Sequence, residues 1–167
     1  MRISNNNAFF FGWAILIFLG STLRARQIED WPYDKLFKHA DLVIIAKPLA
    51  VREAGKDDHA IPPKGHDEIL TGVVTTFEVL HVIKGEYKAN KMDLVHFRLK
   101  KGVQIGNGPC LVNFPTKAIE LRGDGWAAGV TSDYMLFLKK SADGRFEPVS
   151  GQFDPSLSVK QMMGPLP

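Results

Sequence analysis

Residues 71–87, TGVVTTFEVLHVIKGEY, form the longest stretch of the chain in which strand-favouring residues dominate without an interrupting proline. Phe77 and Val79 share one face at the two-residue period of a strand, but the apolar residues that follow His81 are adjacent. A bulge near Leu80 or His81 would keep the apolar side inward while the strand bends. We therefore predict a long central strand that turns a corner at this point.

Weaker strand patterns flank this stretch. They cover residues 41–51, 92–99, 110–114, 134–139 and 145–149, with 118–122 as a further candidate. Pro48 confines the second half of the first of these strands to a sheet edge or a bulge. The turn residues between Lys139 and Arg145 predict a hairpin there. In 92–99 the alternation predicts that Val95, Phe97 and Leu99 point inward, and that His96 and Arg98 point outward.

Two short helices complete the predicted set of elements. Pro32 suits a first helical turn before the apolar positions of residues 33–40, and Asp154 with Pro155 suits the start of a helix over 156–163. No helices separate the strands, which argues against a parallel sheet. The fold class that follows is mainly β: a small, closed or partly closed OB-like barrel of five to six strands, over residues 27–155, with a C-terminal tail over 156–167.

The N-terminal 26 residues read as a segment outside this fold. Residues 8–20, AFFFGWAILIFLG, are a run of 13 apolar residues behind Arg2. Such a run has the length of a signal-peptide core and is short for a membrane span of about 20 residues. We predict export after cleavage; retention as a membrane anchor and burial as an N-terminal helix are the alternatives. Contact with a membrane is expected only if this leader is retained.

Charge and cysteine content narrow the function classes. The chain has 21 Lys and Arg against 18 Asp and Glu, and Arg2, Arg24 and Arg26 precede the first acidic residue, Glu29. The remainder is electrically balanced, which removes the attraction on which nucleic-acid binding mostly depends. The single cysteine, Cys110, excludes an internal disulfide and is expected to be a buried apolar residue.

A long polar loop over residues 53–70 is the main candidate site. Two nitrogen donors and four acidic side chains occur within twelve residues, namely Asp57, Asp58, His59, His66, Asp67 and Glu68. Loops on a rigid barrel often bind partners, and these side chains could hold a divalent ion if the Pro62-Pro63 kink folded them together. Their spacing matches no established metal motif, so we predict a solvated binding loop with no metal and no cofactor.

A glycine-rich stretch over residues 123–133 is the second candidate loop. It follows the Arg122-Gly123-Asp124 tripeptide and contains Trp126, so Arg122, Asp124 and Trp126 are candidate binding residues, with a tight turn as the alternative. His81 and His96 are expected to be cross-strand neighbours on the outer face. No catalytic set is recognisable in the sequence.

Three segments carry a resemblance to a known family. FKHADLVIIAK at 37–47, FEV at 77–79 leading to IKG at 83–85, and YMLFL at 134–138 resemble successive landmarks of netrin-like domains, across residues 36–151. These are the OB-barrel modules of tissue inhibitors of metalloproteinases and of secreted bacterial proteins, so the resemblance implies an OB barrel. It transfers no inhibitory activity. Those inhibitors chelate zinc through an N-terminal Cys-x-Cys, whereas the expected mature start here is Arg26-Gln27-Ile28.

Together these observations predict an exported, non-enzymatic module that binds a protein or cell-envelope partner through its barrel loops. The alternatives are a divalent-metal or metal-dependent hydrolytic site in 57–68, and a metalloproteinase inhibitor, which the missing Cys-x-Cys disfavours. Oligonucleotide binding is compatible with an OB barrel but is opposed by export and by the balanced charge.

Overall fold

The computed structural model of the protein describes residues 30–105, 108–116 and 132–162. These residues form the helix α1, Tyr33–His39, and the strands β1, Leu42–Glu53, β2, Leu70–Lys84, β3, Lys91–Leu99, β4, Asp133–Lys140, β5, Phe146–Pro148, and β6, Val159–Met162. Short 3-10 turns lie at Lys56–Asp58 and Pro155–Ser158. The predicted mainly β class, with one helix before the strands, is confirmed.

The strands form one antiparallel sheet. Its order is β3-β2-β1-β4, and the far edge of β4 is shared by β5 and β6, which pair with different halves of that strand. The sheet curls until β5 lies close to β3. No hydrogen-bonded ladder joins β5 to β3 in the described part of the chain, so the sheet is curved but not closed. A seam remains between these two strands.

Bulges between β1 and β2 produce part of this curl. The register steps from His81 to Val79 and leaves Leu80 without a partner, as the sequence predicted for this part of β2. A further register shift lies between Pro48 and Ala50 and leaves Leu49 without a partner, and among the described strands residues 47–53 pair with β2 alone. The prediction that the strand beyond Pro48 lies at an edge or a bulge is confirmed. Each extra residue bends its strand and increases the local twist.

The core fills the concave side of the sheet. Phe77 is 0% exposed, which confirms the predicted inner face of β2. Phe114, from the irregular segment before the second gap in the described chain, packs edge-on against Phe77, with 4.8 Å between ring centroids, and against Tyr134, with 5.0 Å. Leu94 and Leu136 close the same cluster. The side chain of Phe114 therefore fills the interior of the core between β2 and β4.

The prediction of which β3 side chains point into the core is wrong. Met92, Leu94 and His96 point into the core, while Val95 and Phe97 line the seam between β3 and β5. Both faces of β3 are covered because the polar loop and the β4–β5 hairpin pack over its second face. A half-buried strand pattern cannot identify the inner face when neither face is solvated.

The predicted pairing of two histidines is also wrong. His96 lies opposite Val73 of β2, and His81 lies opposite Ile45 of β1. His81 is exposed as expected, whereas His96 is only 2% exposed. The two imidazoles therefore belong to different environments of the protein.

The segment predicted as a C-terminal helix over 156–163 is a 3-10 turn followed by strand β6, as far as residue 162, where this part of the structure ends. Ser158 is fully buried, and its hydroxyl accepts a hydrogen bond from the Ser150 amide at 2.7 Å. Val159 packs into the core as β6 pairs with β4. Asp154 is the N-cap residue of this short turn, as predicted for its position, but its side chain makes no capping hydrogen bond. Its carboxylate instead accepts a hydrogen bond from the Cys110 amide at 3.0 Å. Tertiary contacts override a weak helical pattern here.

The predicted strand over 110–114 is also absent. The segment is irregular, Cys110 is half-buried, and Phe114 leaves the backbone to enter the core. Pro109 and Pro115 flank the segment, and proline cannot donate to a strand ladder. The candidate strand 118–122 lies outside the described residues.

The predicted leader also lies outside the described residues, which begin at Asp30. Within the described ranges, no helix combines the length and hydrophobicity needed to cross a bilayer. Helix α1, which begins three residues later, buries Leu36 against the sheet, and Tyr33 and Phe37 stay largely exposed. Leu36 belongs to a second apolar cluster with Ala40, Val43, Phe137 and Val149, on the face of the sheet opposite the main core.

Candidate functional site

The polar loop over residues 53–70 has a defined structure. The guanidinium of Arg52 donates two hydrogen bonds to the carboxylate of Asp58, with distances of 2.6 and 2.8 Å. The same carboxylate accepts a hydrogen bond from the Gly55 amide at 2.6 Å, and Arg145 of the β4–β5 hairpin donates to the Asp58 carbonyl. Asp58 therefore ties the loop both to β1 and to the far side of the seam.

The electrostatics of Asp58 follow from this geometry. The hydrogen bonds from Arg52, followed by the one from the Gly55 amide, lower the pKa of Asp58 from 3.8 to about 2. The same pair raises the pKa of Arg52. The carboxylate is thus ionised over the whole physiological range, and the planar two-bond geometry fixes the orientation of the loop as well as its position.

Close backbone packing holds the middle of the loop against β2. The Ala54 amide donates a hydrogen bond to the Gly72 carbonyl at 3.0 Å. A Cβ atom on Gly72 would lie 2.4 Å from the Cβ of Ala60 and 3.1 Å from that of Ala54, which is too close for either contact. Glycine at position 72 therefore lets the loop approach the strand.

The loop presents an apolar residue to solvent. His59 adopts a left-handed backbone conformation with φ of 51°, which ends the 3-10 turn and redirects the chain. Two residues later Ile61 is 79% exposed, immediately before Pro62-Pro63. The prolines restrict the backbone on the C-terminal side of Ile61, so a large apolar side chain is held outward by an ordered loop.

Beside Ile61 lies a small concavity that we call the seam cleft. It is lined by His59, Ala60, Ile61, Asp93, Val95, Phe97, Ser141, Arg145, Phe146, Glu147 and Gln152. Its volume is about 120 Å³. The side-chain carbonyl oxygen of Gln152 is buried without a hydrogen-bond partner. The cleft therefore has room for one side chain at most, and it is much smaller than the roughly 300–1,000 Å³ typical of small-molecule pockets.

The structure does not bring the six candidate donors of the loop together. Asp58 binds Arg52, His59 lines the seam cleft, and the imidazole of His66 packs edge-on against Phe153 at 4.8 Å. Asp57, Asp67 and Glu68 are exposed. Among the described residues, which include all six, no three His, Cys, Asp or Glu side chains converge as a metal site would require.

Sequence reasoning missed a larger concavity at the open end of the sheet. This mouth cavity is lined by Val51, Val73, His96, Arg98, Leu99, Leu111, Val112 and Asn113, and its volume is about 440 Å³. The inward-facing residues of β3 alternate as Met92, Leu94 and His96, but the face with Val95, Phe97 and Leu99 is the more apolar one in sequence. The alternation therefore favours the wrong face and places His96 outside.

His96 is the unusual residue beside this cavity. One ring nitrogen, Nε2, shares a hydrogen bond with the Thr75 hydroxyl at 2.8 Å. Burial lowers the pKa of His96 from 6.5 to about 4. A hydrogen bond with the backbone of Phe97 raises this pKa, but by less than burial lowers it. The imidazole is therefore neutral at physiological pH.

The second candidate loop, with Arg122, Asp124 and Trp126, lies outside the described residues.

No protein-family model matches the chain, and no curated protein matches it in sequence. The resemblance to netrin-like domains therefore stays a prediction that rests on the landmark segments of the sequence.

Proposed function

We propose that this protein is an exported, non-enzymatic binding module that presents the loop over residues 53–70 to a protein partner in the extracellular space or cell envelope. The observation that carries the proposal is the 79% exposure of Ile61 on a loop that is fixed from both sides. Exposed apolar side chains on preorganised loops are typical anchors of protein interfaces because little conformational entropy is lost on binding. Export is supported by the apolar run at 8–20.

The seam cleft supports the choice of a protein partner over a small molecule. A cleft of about 120 Å³ accepts a single side chain at most. Its polar lining includes the carboxylates of Asp93 and Glu147, which are engaged by Thr76 and Lys139, and the guanidinium of Arg145. We infer that the partner inserts a single side chain into the cleft, next to the apolar contact with Ile61.

A netrin-like assignment is part of the same proposal. The landmark segments of the resemblance fall on α1 and β1, on β2, and on β4, the elements around which the curved sheet is built. Metalloproteinase inhibition is not proposed, because the N-terminal Cys-x-Cys is missing from the sequence. A divalent-metal site in 57–68 is not favoured by any contact in the described structure, where Asp58 is already engaged by Arg52.

The proposal is tested by capture from the native envelope or culture fluid with the tagged protein. We expect Ile61→Ser to lower the recovery of a specific partner by roughly thirty-fold, the loss that corresponds to an interface hot spot of about 2 kcal/mol. Leu80→Ser is the matched control, since Leu80 is 38% exposed on β2, outside the loop and the seam cleft. Equal recovery with both variants would exclude the loop as the binding surface.

A further inference from the structure

The mouth cavity has the size and lining of a small-molecule site. At about 440 Å³ it falls within the roughly 300–1,000 Å³ range of ligand pockets, unlike the seam cleft. Val51, Val73, Leu99, Leu111 and Val112 supply an apolar lining from three strands and the segment before Phe114. Barrel mouths are a common place for such sites, because the curved sheet holds the walls apart.

The rim of the cavity is basic. Arg98 lies at the junction between the cavity and a neighbouring groove that contains Lys100 and Lys101. The facing carboxylate is Glu53, whose Oε1 accepts a hydrogen bond from Arg98 at 2.7 Å. The ammonium of Lys100 donates a hydrogen bond to the Asp67 carbonyl oxygen at 2.7 Å, which neutralises no charge. The three cationic side chains therefore outnumber the one carboxylate of the groove lining, and the positive potential favours an anionic group at the entrance.

The inner wall cannot hold an anion. His96 is 2% exposed and lies beside the apolar lining, and its burial lowers its pKa to about 4. A neutral imidazole supplies no countercharge, and an unpaired anion in an apolar interior is strongly unfavourable. The charged end of a ligand therefore stays at the rim, and its apolar part enters the cavity.

We propose that the mouth cavity binds a small apolar carboxylic acid of the fatty-acid type, with its tail against Val73 and Val112 and its carboxylate at Arg98. Arginine is suited to this role because its planar guanidinium can donate two parallel hydrogen bonds to a carboxylate. The site lies at the open end of the sheet and is lined by residues different from those of the seam cleft, so it is independent of the partner proposed for the 53–70 loop.

The test uses the full chain with decanoate, held below its aggregation concentration, and decan-1-ol as the uncharged analogue. Titration followed by calorimetry or by methyl NMR shifts should show saturable decanoate binding. Val112→Trp fills the cavity and should weaken binding by at least about ten-fold, whereas Leu80→Trp, which adds the same ring on an exposed part of β2, should leave it unchanged. If Val112→Trp does not fold by circular dichroism, Val51→Trp, at the exposed wall, replaces it.

The position of the carboxylate is tested separately. Arg98→Gln should weaken decanoate binding by about ten-fold and leave decan-1-ol binding unchanged, while Lys139→Gln, a cation on β4, should affect neither. The proposal is overturned if the folded wild type binds no decanoate saturably, or if decanoate binds equally well to the cavity-filling variant. It is also overturned if Arg98→Gln and Lys139→Gln have equal effects. None of these outcomes depends on Ile61.

Discussion

Nε2 of His96 lies 2.8 Å from the hydroxyl oxygen of Thr75, and both side chains are almost completely buried. Thr75 lies on β2 and His96 on β3, and the bond links the two strands on the inner face of the sheet. The ring also packs edge-on against Phe114, with 5.2 Å between centroids. A protonated imidazole would carry an unpaired charge in this apolar surrounding.

The first prediction concerns stability at acid pH. The pKa of His96 is about 4 in the folded protein against 6.5 in the unfolded chain, so the unfolded chain binds more protons between these values. The free energy of unfolding is therefore unaffected by His96 protonation above pH 6.5. It falls by on the order of 3 kcal/mol as the pH falls through about 4. Urea denaturation at several pH values measures this slope. His96→Leu should remove it and the exposed-site variant His81→Leu should retain it; the opposite pattern would refute the assignment.

A second prediction tests the core. Phe77→Ala should lower the free energy of unfolding by on the order of 3 to 5 kcal/mol, because Phe77 is fully buried against Phe114. Leu80→Ala, at an exposed bulge position of the same strand, is the control and should cost much less. Chemical denaturation measures the free energy of unfolding of both variants. A loss below about 1 kcal/mol for Phe77→Ala would mean that the inner face of β2 is misplaced.

A third prediction separates backbone strain from steric contact at two glycines. Gly85 and Gly144 have positive φ values, 81° and 86°, so alanine is strained at either position by about 1 to 2 kcal/mol. A Cβ atom at position 85 would also lie 2.3 Å from the Asp41 carbonyl oxygen, whereas one at position 144 meets nothing within 4 Å. Gly85→Ala should therefore lower the melting temperature clearly more than Gly144→Ala. Equal shifts would contradict the close approach of the chain at position 85.

The fourth prediction concerns the order of the 53–70 loop. Asp58→Asn removes the charged, two-bond contact with Arg52, so amide hydrogen exchange in the loop should accelerate while exchange in β2 and β3 stays slow. Asp57→Asn is the matched control, since Asp57 is an exposed neighbour in the same turn. Unchanged exchange in the Asp58 variant would show that the ion pair does not fix the loop.

The sequence predicted the strands in which neighbouring residues all favour strand structure. It failed where contacts between residues distant in sequence determine the structure. The bulges at Leu80 and Leu49 could be foreseen because the apolar pattern changes phase at the first, and because Pro48, beside the second, has no amide hydrogen. His96 could not be placed because the face of β3 with Val95, Phe97 and Leu99 is the more apolar one in sequence, whereas the structure covers both faces. Val159 joined a strand where a weak helical pattern had been expected, because β4 offered an open edge.

The candidate site shows the same division. The sequence identified the 53–70 loop from its composition, but it gave no reason to separate Asp58, which fixes the loop, from Ile61, which is exposed on it. That distinction depends on Arg52 and Arg145, and Arg145 lies on a hairpin distant in sequence. No local sequence pattern predicts a contact between residues so far apart in the chain.

The most direct test of the account is photo-crosslinking in the native compartment from a probe placed at position 61. We predict a discrete crosslinked species that is absent when the same probe stands at position 80, and that disappears when Asp58→Asn loosens the loop. Crosslinks of equal yield from positions 61 and 80, or none from position 61 in the folded, correctly localised protein, would contradict the claim that this loop is a binding surface.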